Sequence, residues 1–237
     1  MSIRVATSHI LAILVAFLSA TWVSYAQTDE DVPRWRIALQ CCGPAYVIGG
    51  METVLDPVHD ADYTKTRWGI ATGAAVSYYL TNNVGTGLRL DTSMLGNYTH
   101  ASIDYNDSFL SGSLEDSINY LYIGPFASYR LFSGDLKNHF YFNGGLGFLD
   151  YGRWHIIGNK VTLMEARGYS PGGLIEIGYD RMLSRQFAIG LSLEAMAGYL
   201  SSLTIISENS QRKVGIDNQS SRLLLNASMM VGMRFLL

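Results

Sequence analysis

The sequence predicts an all-β fold: one eight-stranded antiparallel up-and-down transmembrane β-barrel preceded by a signal peptide. Three observations predict it. The last seventeen residues, Ser221–Leu237, alternate strictly, and their connected partners do the same. The connections between strands alternate short and long. Aromatic residues gather at strand ends, while charged residues make up only 16% of the chain, against about 25% in a typical soluble domain.

The chain opens with a predicted secretory signal peptide, residues 1–26. Arg4 supplies its positive start and Ile10–Leu18 its apolar core, too short to span a bilayer. Small residues at Ser24 and Ala26 place the cut before Gln27. Residues 27–34 are expected as a short periplasmic leader carrying the acidic run Asp29–Asp31. Residues 35–237 then form the single barrel domain. No later apolar run approaches the ~18 residues of a membrane helix. The net charge of −3 gives no reason to expect nucleic acid as a partner. The only cysteines are Cys41 and Cys42. Neighbours in a strand point to opposite faces, so this pair is not expected to bond to itself.

Eight strands are expected at roughly Trp35–Gly50, Thr66–Leu80, Asn83–Tyr98, Asp116–Phe132, Asn138–Arg153, Gly168–Leu183, Gln186–Leu203 and Ser220–Leu237. Each exceeds the ~9–11 residues that a tilted membrane strand needs. The turns at Thr81–Asn82, Ser133–Lys137 and Ser184–Arg185 are short. The connections Met51–Lys65, Thr99–Glu115, Trp154–Arg167 and Thr204–Gln219 are longer and more polar. Short periplasmic turns and long external loops are the pattern of outer-membrane barrels.

Period-two alternation separates an apolar face from a face of glycine, alanine and ions. In the last strand, Leu223, Leu225, Ala227, Met229, Val231, Met233, Phe235 and Leu237 form an uncharged face. A lipocalin-like soluble barrel has the same period with its apolar residues inward. The small residues beside the charges favour the inside-out version, because a narrow eight-stranded lumen has little room. The inward set is then expected to hold a lumen charge network of Arg89, Asp91, Arg130, Glu176, Asp180, Glu194, Arg222 and Arg234, since an unpaired buried ion costs several kcal/mol. Arg89, Glu176, Glu194 and Arg222 are its expected mid-barrel members. Two aromatic girdles are expected at the membrane interfaces. Trp35, Tyr78, Tyr129, Phe140, Tyr179, Phe187 and Phe235 form the periplasmic one. The external one draws on Tyr46, Trp68, Tyr98, Tyr120, Phe148, Tyr169 and Tyr199.

On this pattern, three segments carry a family resemblance. Asn119–Phe132, NYLYIGPFASYRLF, resembles the fourth strand of the small bacterial outer-membrane β-barrel family. Phe140–Phe148, FYFNGGLGF, is similar to its glycine-rich fifth strand, and Gly172–Tyr199 to its sixth and seventh. Pro125 stands one position late for that pattern, and Leu237 stands where a terminal aromatic is common. The resemblance implies a Gram-negative outer-membrane location, outer-membrane lipid as a partner, and recognition of the C-terminal strand by the barrel-insertion machinery. It carries fold rather than activity.

No catalytic constellation is apparent. His59, His100 and His155 fall in expected loops near Asp60, Asp62, Asp104 and Asp107, without a nucleophile–base motif. Asn143–Gly147 is glycine-rich but lacks the following helix that a phosphate loop needs. The expectation is a non-enzymatic structural or interaction protein, monomeric, with a side-chain-filled lumen, no cofactor and no metal. The alternatives are a narrow ion or small-solute channel and a lipid-modifying outer-membrane enzyme.

Overall fold

A computed structural model describes residues 32–49, 68–105, 108–134, 136–157, 161–207, 210–216 and 223–237. The strands are β1 (Trp35–Gly49), β2 (Trp68–Tyr79), β3 (Val84–Tyr105), β4 (Ser108–Phe132), β5 (Asn138–Ile157), β6 (Val161–Met182), β7 (Phe187–Tyr199), β8 (Ser202–Ser207), β9 (Ser210–Gly215) and β10 (Leu223–Leu236). Eight of them, β1–β7 and β10, pair antiparallel with their neighbours. The β1–β10 and β5–β6 ladders close the cylinder. The fold is therefore the eight-stranded antiparallel barrel that the alternation predicts. The signal peptide and the start of the leader lie outside the described residues.

Three long connections differ from the expectation. Thr99–Glu115 and Trp154–Arg167 are largely strand, because β3 and β4 pair without interruption from Val84–Tyr129 to Tyr105–Ser108. β5 and β6 stay paired out to Ile157–Val161. β7 ends at Tyr199, short of the expected Leu203, and the extra hairpin β8–β9 runs from Ser202 into the expected connection Thr204–Gln219, adding to β6 at Glu165–Ile206, Ala166–Ile205 and Arg167–Thr204. Polarity is a poor guide to structure here. The ladder is made by backbone groups, so a strand can lose its apolar alternation without losing its ladder.

The faces sort as the barrel requires. Leu88, Ile70, Met94, Leu146, Phe148, Ile175, Leu193 and Val231 are exposed outward, Leu146 by 77%. In β10 every second residue from Leu224 to Leu236 is buried, including Asn226, Ser228 and Arg234. A continuous apolar ring of this size far exceeds the isolated patches a soluble monomer exposes. It matches the outward apolar band of a membrane barrel.

One break in parity departs from the expected alternation. The β1–β10 register shifts between Cys41 and Ala45, and the β1–β2 register between Gln40 and Gly43. Cys41 and Cys42 thus sit at a β-bulge. Arg36, Ala38 and Gln40 are inward before it and Ala45 after it, while Cys41 is exposed. A Cβ on Gly43 would lie 1.5 Å from the Met229 carbonyl oxygen, so only glycine lets the bulged strand approach β10 this closely. Pro125 interrupts a ladder too. The β4–β5 pairing lapses between Ile123–Phe148 and Phe126–Gly145 with its register unchanged, while β3–β4 runs on unbroken, as expected where an N–H is missing from one side only.

Candidate functional site: the filled lumen

The lumen has two storeys. The lower one, toward the short turns, is ionic. Arg36, Arg89, Arg130 and Arg234 face Asp91, Glu176, Asp180 and Glu194, all buried. Strand parity brings them together. Each of β1, β3, β4, β6, β7 and β10 contributes at least one inward ion at this height, and many of the inward positions between, such as Ala38, Gly87, Gly178, Gly190 and Gly232, are small. The small residues make the room. A Cβ on Gly73 would lie 2.0 Å from Asp91 Oδ1, and one on Gly190 equally close to Asp180 Oδ1.

Arg89 is the hub. Its Nε donates to Asp91, its Nη1 to Glu176, and its Nη2 to Glu194 and to Gln40 Oε1. Glu176 also accepts from Gln40, from Asn143 Nδ2 at 2.6 Å and from the Tyr141 hydroxyl at 3.3 Å. Tyr141 accepts from Arg234 Nη2 at 3.0 Å, and Arg36 lies over its ring at 4.3 Å. Arg36 Nη2 donates to Asp180 Oδ2 at 2.9 Å, and Arg234 Nε lies 3.4 Å from Asp180 Oδ1. These buried charges of both signs form one lattice, which offsets the several kcal/mol per ion that desolvation costs.

Arg130 acts at the short-turn rim. Its Nε donates to the Asn82 carbonyl at 2.7 Å and its Nη2 to the Pro33 carbonyl at 2.8 Å. Its guanidinium stacks 3.5 Å from the Tyr79 ring centroid. It ties the β2–β3 turn to the start of the barrel.

The upper storey is apolar, a feature that the alternation alone does not predict. Ala71, Leu95, Ile118, Tyr120, Tyr122, Leu149, Tyr151, Leu174, Met196, Leu200, Leu224 and Met230 form one buried cluster. Leu203 of β8 and Ile216, just after β9, belong to it, so the β8–β9 hairpin is seated in the mouth. Tyr120 is therefore not an external girdle residue. It shares the inward parity of Arg130 and packs edge-on against Tyr151 at 5.6 Å. Above the cluster, Arg153 Nε donates to Asp116 Oδ1 at 2.9 Å and Nη2 to Oδ2 at 3.1 Å, a two-point buried pair.

Of the eight residues expected in the lumen, seven are buried inside it: Arg89, Asp91, Arg130, Glu176, Asp180, Glu194 and Arg234. Arg222 lies outside the described residues. Sequence reasoning missed Arg36, Gln40, Asn143, Asp116 and Arg153. Arg36 and Gln40 are hidden by the bulge, which breaks the parity count in β1. Asp116 and Arg153 fall at expected strand ends, where loop polarity masks alternation. Of the girdle aromatics, Trp35, Trp68, Phe140, Phe148, Tyr169, Tyr199 and Phe235 are exposed outward, and Tyr78, Tyr129, Tyr179 and Phe187 are half-buried on the same face. For Tyr98 the backbone is described as part of β3, but its side chain is not.

His100 and His155 lie in β3 and β5 rather than in loops; His59 is outside the described residues. Among the described residues, no group of three His, Cys, Asp or Glu side chains could hold a metal ion. A concavity of about 700 Å³ lies on the outward face, lined by Thr86, Ala127, Gly144, Gly173 and Ala197 among others. It carries no ionisable group.

No family model matches the chain, and no curated protein matches it. Solved structures do. A major outer membrane protein of Thermus thermophilus aligns at 10% identity and a TM-score of 0.52, over 85% of this chain and 98% of that one. Neisserial surface protein A aligns at 11% identity and a TM-score of 0.50, over 88% of this chain and 100% of that one. At such identities the likeness is one of fold, and the chain has the fold of the small outer-membrane β-barrels.

Proposed function

We propose that the chain is a non-enzymatic outer-membrane barrel of structural or interaction type. Its lumen is a plug and its tall external strands make the contacts. A cleaved signal peptide delivers it, outer-membrane lipid surrounds it, and the barrel-insertion machinery reads its C-terminal strand. It works as a monomer without a cofactor.

The filled interior carries this reading. An ion crossing the barrel would have to part the Arg89 lattice and then cross a layer built of Leu95, Ile118, Leu149, Leu174 and Leu224. Eight strands leave space for little beyond side chains. The β8–β9 hairpin covers that layer with Leu203 and Ile216. The apolar belt of exposed Leu, Ile, Met and Phe supports the membrane setting.

Planar-bilayer recording tests the plug. Purified folded protein should give no unitary conductance above the bare bilayer. Steady ion-selective channels from wild-type protein would overturn the reading in favour of a narrow pore.

A further inference from the structure

We propose that the outward face of the β5–β6 ladder, at its short-turn end, holds the phosphate of an anionic phospholipid, with Arg181 as the binding group. The proposal rests on the membrane reading above.

Asn138 opens β5 and Arg181 nears the end of β6, and the two are register partners. Asn138 Oδ1 accepts from Arg181 Nη1 at 2.7 Å and from the Tyr179 hydroxyl at 2.6 Å. One amide oxygen thus fixes both side chains. Arg181 is exposed, and this bond uses one of its five N–H donors. The planar fork that remains matches a phosphate's paired oxygens.

On the side of the guanidinium away from the short turns lies a surface for acyl chains. The rings of Phe140 and Tyr179 meet at 5.1 Å on the same outward face. Phe140, Phe142, Ile177 and Ile189 are exposed around them. A phosphate at Arg181 therefore has its chains against the apolar belt, where the aromatic girdle marks the headgroup level.

Charge selects the headgroup. Lys137, one residue before Asn138, and Arg185, in the turn after β6, are also exposed at this end. Among the described residues there, the one acidic side chain, Asp180, is buried and paired with Arg36. Asp135 of the β4–β5 turn and the acidic run Asp29–Asp31 lie outside the described residues, and the site is centred on Arg181, three strands from Arg34 around the barrel. A cationic side chain near a membrane surface favours an anionic lipid by about fivefold.

The test uses the full-length folded protein in detergent micelles doped with equal phosphatidylglycerol and phosphatidylcholine of matched acyl chains, read by native mass spectrometry. Phosphatidylglycerol adducts should exceed phosphatidylcholine adducts by about fivefold. Arg181→Gln should bring the ratio to about one, and Arg181→Lys should keep part of the preference. Arg167→Gln, at the opposite end, should leave it unchanged. Equal adducts on wild-type protein, or an unaltered ratio in Arg181→Gln, would overturn the site. Displacement of the adducts by inorganic phosphate would overturn the commitment to lipid. Flotation with phosphatidylcholine vesicles is scored in parallel. A protein that fails to float loses the membrane reading itself, whereas one that floats with equal adducts loses only this site.

Discussion

Replacing Arg89 by methionine isolates the ionic lattice. The substitution keeps an unbranched apolar stem and removes the guanidinium that serves Asp91, Glu176, Glu194 and Gln40 at once. All three carboxylates are buried. Glu176 retains Gln40, Asn143 and Tyr141 as donors, so the loss falls on Asp91 and Glu194. Breaking a buried pair by removing one partner costs about 3–5 kcal/mol, because the remaining charge stays desolvated. Two stranded carboxylates put the expected loss at the upper end of that range. The control is Arg167→Met, which breaks the exposed pair with Glu165 and should cost no more than about 1 kcal/mol. The assay is reversible urea unfolding in phospholipid vesicles, followed by tryptophan fluorescence, with both variants on one background. A second arm replaces Asp91, Glu194 and Arg89 together by Asn, Gln and Met, which should recover most of the loss, since neutral groups of similar shape carry no stranded charge. A loss below about 1 kcal/mol in Arg89→Met, indistinguishable from the surface control, would refute the claim that this guanidinium holds the lumen together.

Three other outcomes are expected. Two glycines should answer oppositely in the same unfolding assay: Gly73→Ala should cost about 1–3 kcal/mol by driving a methyl into the Asp91 carboxylate, whereas Gly144→Ala, whose added Cβ meets nothing within 4 Å, should be neutral or stabilising. Leu193→Arg places a cation on the outward belt between Ile177 and Met229 and should cost about 2–4 kcal/mol in a bilayer; a neutral result there would contradict lipid contact. Leu203→Ala removes a buried contact of the mouth and should cost the hairpin about 2–5 kcal/mol. Hydrogen exchange should speed at β8 and β9 amides and stay unchanged in β2 and β3.

Much of this structure is legible because period two is a strong signal wherever one face meets hydrocarbon. The β10 alternation sets Arg234, Ser228 and Asn226 inward without any three-dimensional information, and β7 does the same for Glu194. Legibility fails where the physics that writes the pattern is absent. At Cys41–Cys42 an extra residue enters β1, and no composition marks it beyond the following Gly43–Pro44. Along Thr99–Glu115 the sequence lacks the apolar alternation, so this segment reads as loop although it is ladder. The apolar upper storey is hidden for a different reason. Leu95, Ile118, Leu149 and Leu224 sit on the inward parity of strands whose lower inward positions are polar or ionic, so each strand changes character halfway along. A single sequence shows the change only if the barrel's height is already known.

The strands are of unequal height. β3 and β4 run 22 and 25 residues, roughly 70–85 Å of extended chain, while β2 and β7 stop at 12 and 13. Neighbours in the barrel stand in sequence order from β2 to β7, so the four long strands β3 to β6 stand side by side along one arc. Each of them is about twice the ~9–11 residues a tilted membrane strand needs, so this arc carries its hydrogen-bonded ladder on as a wall beyond the bilayer.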